Sequence, residues 1–129
     1  MGISSDGILY FGFEVGGEDE PPQWMEDFED FDDFICAKAG LPINAKYEKR
    51  KPVIEACPAD LQQFCSYEYP MYILGVRGAE HRVARGFTKE INVAELAVDQ
   101  AKIDAFKAWC EANDIEWQEP KWLLCSMYG

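Results

Sequence analysis

The sequence predicts an alpha+beta fold, a ferredoxin-like βαββαβ arrangement in which an antiparallel sheet carries both helices on one face. Three observations predict it. Apolar residues alternate with a period of two near the N-terminus, repeat at three-and-four spacing in two later stretches, and bunch into short branched and aromatic runs in the middle and at the end. The order is strand, helix, strand, strand, helix, strand. At 129 residues, 48% hydrophobic, the chain reads as one domain, 1–129, with enough apolar matter for a core.

The first strand is Gly7 to Val15, where Leu9, Phe11, Phe13 and Val15 form the heavier apolar face and Ile8, Tyr10, Gly12 and Glu14 the lighter one. The stretch from Glu18 to Gly40 reads as one helix. Pro21 and Pro22 suit its first turn, and Lys38 and Gly40 suit its end. Trp24, Phe28, Phe31 and Ile35 share a side, and Glu26, Asp27, Glu29, Asp30, Asp32 and Asp33 fill the positions between. Like charges three and four apart repel by a few tenths of a kcal/mol, roughly, so this helix persists only with its apolar side buried. The expected object is a greasy-backed, densely negative rod.

Residues 41–68 hold three prolines, Pro42, Pro52 and Pro58, and a basic cluster, Lys46, Lys49, Arg50 and Lys51, and read as a long exposed connection with a turn of helix at Pro58 to Phe64. Tyr69 to Val76 and His81 to Ile91 read as a hairpin about a turn at Gly78, Ala79 and Glu80. Asn92 and Glu95 make a capping-box pattern, and Asp99 to Asn113 forms an amphipathic helix with Ile103, Phe106, Trp109 and Cys110 inward. Lys121 to Tyr128 is a final strand, apolar enough to be covered on both faces.

The formal charge of −12 disfavours direct binding to nucleic acid or to anionic membranes. Lys and Arg are absent before Lys38 and gather at Lys46 to Lys51 and Arg77 to Lys89, so the chain is a dipole as well as an anion. These cations either neutralise acids within the fold or form a basic contact despite the total charge. Five cysteines without a CxxC pair, and no secretory leader, predict a reduced, cytoplasmic setting, and no apolar run reaches the length of a membrane span.

Three runs, MGISSDGILYFGFEVG at the start, CSYEYPMYILGV in the middle and EPKWLLCSMYG at the end, resemble a family of small acidic proteins encoded by bacteriophages and prophages, mostly of actinobacteria. Agreement is weakest between Gly16 and Pro70. The resemblance implies a phage product made in the host cytoplasm; the family has no assigned activity, so it supplies no catalytic or binding residue.

Catalytic chemistry has little to work with. His81 is the single histidine, and pairing it with Cys65 as nucleophile and base sets residues at opposite ends of the expected hairpin. Glu18, Asp19 and Glu20, or the Asp27, Asp30 and Asp33 ladder, are hard-cation donors without an EF-hand loop, and zinc lacks ligands at usable spacing. Gly12, Gly16 and Gly17 stand where a phosphate loop belongs, but ten acids from Glu14 to Asp33 repel phosphate. No cofactor, resident metal or catalytic residue is therefore expected.

The remaining feature is the acidic face. Carboxylates spaced along a helix imitate nucleic-acid phosphates toward a basic protein, so Glu26, Asp27, Glu29, Asp30, Asp32 and Asp33 form the expected protein-binding surface, with a host or defence protein that handles nucleic acid as partner and inhibition as the outcome. The alternative is an assembly protein that forms homo-oligomers through Tyr67, Tyr69, Tyr72 and the Trp117 to Tyr128 end.

Overall fold

The computed structural model describes residues 5–17, 20–66 and 70–128. It is alpha+beta: β1 (Ser5–Val15), a 3-10 turn (Gln23–Met25), α1 (Phe31–Lys38), α2 (Tyr47–Ala56), β2 (Ala59–Cys65), β3 (Pro70–Val83), a 3-10 turn (Val93–Leu96), α3 (Gln100–Ala112) and β4 (Lys121–Tyr128). In the sheet β1 lies between β3 and β4, antiparallel to each, and β2 pairs antiparallel with β3. A parallel bridge between Cys65 and Met127 brings β2 to β4, so the four-stranded sheet is mixed and curls closed. The expected sheet is wholly antiparallel with two helices; the third helix, α2, and the closing bridge are departures from that expectation.

Curling needs the central strands to come close, and two glycines permit it. Gly12 faces Gly75 across β1 and β3, and a Cβ on Gly12 would stand 2.3 Å from the Leu74 carbonyl oxygen, one on Gly75 2.3 Å from that of Phe11. Just beside them the register breaks: Tyr10 pairs with Glu80 and Gly12 with Gly75, so Phe11 alone opposes Val76 to Ala79. Gly78, at φ +84°, takes the sharpest part of that bulge. The expected hairpin turn at Gly78 is thus a bulge within one long strand, and β3 serves β2 with its first half and β1 along most of its length. Residues 84–92 then leave the sheet, so the expected strand His81 to Ile91 ends at Val83 and Phe87 is 75% exposed.

A curled sheet has two apolar faces. Ile8, Tyr10 and Ile73 are buried inside the curl with Phe64, Leu123, Cys125 and Met127 against them. Phe13, Ala59, Leu74 and Val76 point the other way, into a larger core shared with Phe31, Phe34 and Ile35 of α1 and Phe106 and Cys110 of α3. The lighter face of β1, Ile8 and Tyr10, is therefore buried as fully as the heavier one. Phe106 stacks on Phe13 at 5.7 Å between ring centres, and the Trp117 ring closes edge-on against both.

Residues 41–68 carry structure rather than a loop. The stretch read as a helical turn, Pro58 to Phe64, lies largely in β2, and the preceding basic run is α2 with Pro52 inside it. Leu61, Phe64 and Cys65 have the three-and-four spacing of a helix, but in β2 Leu61 joins the larger core and Phe64 the inner one. α3 agrees with expectation: the Asp99 carboxylate accepts from the Ala101 N–H as its cap, and Phe106 and Cys110 are buried. Asn92 opens a 3-10 turn instead of an α-helix, without a side-chain cap. β4 is not covered throughout on both faces: Leu124 is 81% exposed, whereas Trp122 on the same face packs on Phe11 and donates to the Leu96 carbonyl.

Gly12→Ala and Gly75→Ala should each destabilise the chain by about 2–3 kcal/mol, because backbone must separate to admit the methyl. Gly17→Ala, whose Cβ meets nothing nearer than 3.8 Å, should stay within about 0.5 kcal/mol. Urea midpoints of the three variants check the contrast, and equal midpoints would dismiss the close approach.

Candidate functional site

The segment from Glu18 to Gly40 is not one helix. Pro21 and Pro22 lead into the 3-10 turn Gln23–Met25, residues 26–30 form turns, and α1 begins only at Phe31. The Asp30 side chain stops any upstream continuation by accepting from the Asp33 N–H at 2.8 Å as N-cap, and Asp32 and Asp33 fall in the first turn, where the helix dipole favours them. Aspartate is a poor interior residue and a good cap, so the acids divide the segment that the aromatic spacing alone would have kept continuous.

What fixes the segment is its rings. Phe34, 1% exposed and absent from the expected stripe, meets Trp24, Phe28, Phe31 and Trp109 at centroid distances of 4.9, 5.2, 6.0 and 6.0 Å. Trp24 also meets Phe31, and Phe31 meets Trp109 of α3, so the turn region is tied to a helix that is itself packed on the sheet. Each such contact contributes about 0.5–1.5 kcal/mol beyond its buried area. The carboxylates are left outside: Glu26, Asp27, Glu29, Asp30 and Asp32 are exposed. Among the described residues none of these five pairs with a Lys or Arg.

Asp33 behaves differently. Arg50 of α2 donates to its carboxylate at 2.6 Å and to the Cys36 sulfur at 3.5 Å, which joins α2 to α1. Neutralisation of acids by the basic cluster is thus confined, in this segment, to one of the six. Of the expected surface, Glu26, Glu29 and Asp30 line a cleft of about 920 Å³ with Glu20, while Asp27 and Asp32 lie outside its lining. Met25, Phe28 and Phe31 line it with Leu61, Gln63 and Tyr72 of the sheet, and Gly16, Gly17, Pro21, Pro22 and Gln23 complete the lining. Among the described residues no Lys or Arg lines it. Glu18, Asp19, Tyr67 and Tyr69, named with the acidic and aromatic candidates, lie outside the described residues.

The other polar cluster is internal. Tyr10 donates its hydroxyl to the Asp60 carbonyl at 3.0 Å, and Arg77 reaches the Asp60 carboxylate at 3.6 Å and the carbonyls of Cys57 and Ala59 at 3.0 Å each. The Asp60 carboxylate also accepts from the Leu61 N–H and the Gln62 amide, and Arg82 donates to both Gln62 and Glu80. Burial pushes the Asp60 carboxyl up, opposed by Arg77 and the Leu61 N–H, and burial raises the Tyr10 hydroxyl as well. No buried side-chain nitrogen or oxygen among the described residues lacks a partner, so this cluster is a saturated brace at the sheet's bulge.

Cys65 and His81 are not brought together. Cys65 pairs with Pro70 and Met127, whereas His81 pairs with Leu9 and its ring packs on Trp122 at 5.8 Å. Burial raises the thiols of Cys57 and Cys125 and pushes Cys110 up to about 12, which keeps them protonated and poor nucleophiles. Among the described residues no three His, Cys, Asp or Glu side chains gather as a metal site, and no helix is long and apolar enough to cross a membrane. Compared with protein-family models, with curated proteins and with solved structures, the chain matches none.

The raised Asp60 pKa sets the sign of a pH effect. Its folded value exceeds the unfolded one, so its contribution to stability is whole below the ordinary aspartate range and is lost as pH rises through the higher folded value. Asp60→Asn should therefore gain on the native chain in urea midpoint between about pH 3 and about pH 7. A native chain that gains on the variant instead would mean that Arg77 outweighs burial.

Proposed function

We propose that this protein acts by binding, presenting its acid-rimmed cleft and the carboxylates around it to a basic protein that handles nucleic acid, and so competing with the nucleic acid for that protein's groove. The observation that carries the reading is the cleft lining: Glu20, Glu26, Glu29 and Asp30 with Phe28, Phe31 and Tyr72, and no Lys or Arg among the described residues. Carboxylates held at fixed positions repel one another less when a cationic surface arrives, and the net charge of −12 steers that arrival. The resemblance to small acidic phage proteins supports a setting in the host cytoplasm, with a host or defence protein as partner and inhibition as the result. The acidic surface is a bent rim rather than a helical rod, which suits a concave basic site less regular than a duplex groove.

The antiparallel neighbours β1 with β3, β1 with β4 and β2 with β3 support reading the framework as ferredoxin-like, modified by the closing bridge and by α2. In that reading the sheet is a rigid support, and the segment between β1 and β2 carries the activity.

A second reading, homo-oligomeric assembly, has one observation in its favour. Leu124 is 81% exposed on β4 beside half-buried Leu9, its pairing partner on β1. Light scattering separates the two, since a monomer at all concentrations removes assembly.

The test of the first reading is retention of basic nucleic-acid-binding proteins from a bacterial lysate, compared between the native chain and a variant with Asn or Gln at Glu26, Asp27, Glu29, Asp30, Asp32 and Asp33. The native chain should retain them at low salt, lose most of them at about 0.5 M salt, and release nucleic acid from those it holds. The variant should retain few. Identical retention by both chains would reject the acidic surface.

A further inference from the structure

The cleft is more than a patch of charge, because its floor is apolar. Phe28 and Tyr72 are half-buried along it and Phe31 and Met25 buried beneath, while the four carboxylates stand at its rim. An inorganic cation gains nothing from such a floor, and among the described residues no three carboxylates converge to hold one. A volume of about 920 Å³ lies at the upper end of ligand pockets, roughly 300–1,000 Å³, and admits a side chain together with the backbone on either side of it.

We infer that the cleft takes an arginine side chain carried on an extended segment of a basic protein. This rests on the reading of the acidic surface as a binding surface, and it names the occupant of one part of it. Charge complementarity selects a cation, since the rim has four carboxylates and the lining, among the described residues, no Lys or Arg. The floor then selects among cations. A guanidinium is planar, more weakly hydrated than an ammonium, stacks on aromatic faces and donates to two carboxylates in the plane of its fork. A lysine ammonium would be drawn to the rim and would leave the rings of Phe28 and Tyr72 wet. Asp30 has one oxygen committed to the Asp33 N–H and the other available, and Glu26 and Glu29, exposed and without a cationic partner among the described residues, can close on the guanidinium from the same side.

The experiment is calorimetric titration of the full chain with a short peptide alternating arginine with glycine, its lysine and citrulline counterparts, and spermine. The arginine peptide should bind roughly tenfold tighter than the lysine peptide, and the citrulline peptide should not bind. Glu26→Gln with Glu29→Gln should weaken the arginine peptide by roughly tenfold or more, and Glu116→Gln with Glu119→Gln, the same charge change at exposed positions away from the acidic surface, by less than about twofold. Both double variants replace exposed side chains, and matching circular dichroism would show them folded. Tyr72→Leu should reduce the preference for arginine over lysine. Equal weakening by the two double variants, or spermine binding as tightly as the arginine peptide, would overturn the cleft's occupant while leaving the acidic surface as a diffuse attractor. No binding by any cationic probe would overturn both readings.

Discussion

The packing of Phe34 against Trp24, Phe28, Phe31 and Trp109 is the contact on which the acidic segment depends. The turns and the first helical turn carry so many carboxylates that their repulsion pushes them toward solvent, each close pair contributing a few tenths of a kcal/mol, roughly. A set of ring contacts of about 0.5–1.5 kcal/mol apiece outweighs that. Because the rings belong both to the turns and to α1, and one partner ring belongs to α3, the segment is held from two sides without needing to be a helix. The charges then have fixed places relative to the sheet, which is the condition for selective binding rather than general attraction.

The sheet supplies the anchor. Its curl depends on the closeness of Gly12 to Gly75, and the curl creates two cores from one layer of strands. The inner core is small and is braced at the bulge by Tyr10, Asp60 and Arg77, every one of them hydrogen-bonded. The outer core is larger and takes both α1 and α3. Where these helices stop, the outer face of β2 and β3 stays uncovered at Leu61, Gln63 and Tyr72, and the acidic segment leans over it to form the cleft. The site is a product of incomplete coverage.

Much of this framework was legible from residue spacing. β1 and α3 follow from alternation and from three-and-four periodicity, and β4 from its nearly continuous apolar run. β2 was hidden because Leu61 and Phe64 face different cores, which mimics a helical repeat, and α2 because Pro52 and four neighbouring cations argue against a helix that Arg50 nevertheless docks onto α1. The bulge in β3 looks like a turn in sequence, since Gly78 serves either. In the acidic segment the burial of the rings and the exposure of the acids were readable, but the break at Asp30 was not, because a cap and a helix interior differ only in which backbone N–H the carboxylate finds. The cleft itself needs Tyr72 and Leu61, far away in sequence, and no local pattern joins them to Glu26.

The central claim is that the carboxylates between Glu26 and Asp32 are held in place by the rings beneath them. Amide heteronuclear NOE values for these residues, measured by nitrogen-15 relaxation on the free protein, test it most directly. Values equal to those of β1 and α3, unchanged as salt is raised, are the predicted result. Values near zero or negative would mean that the segment moves freely on the fast timescale, and a fixed acidic surface would be ruled out.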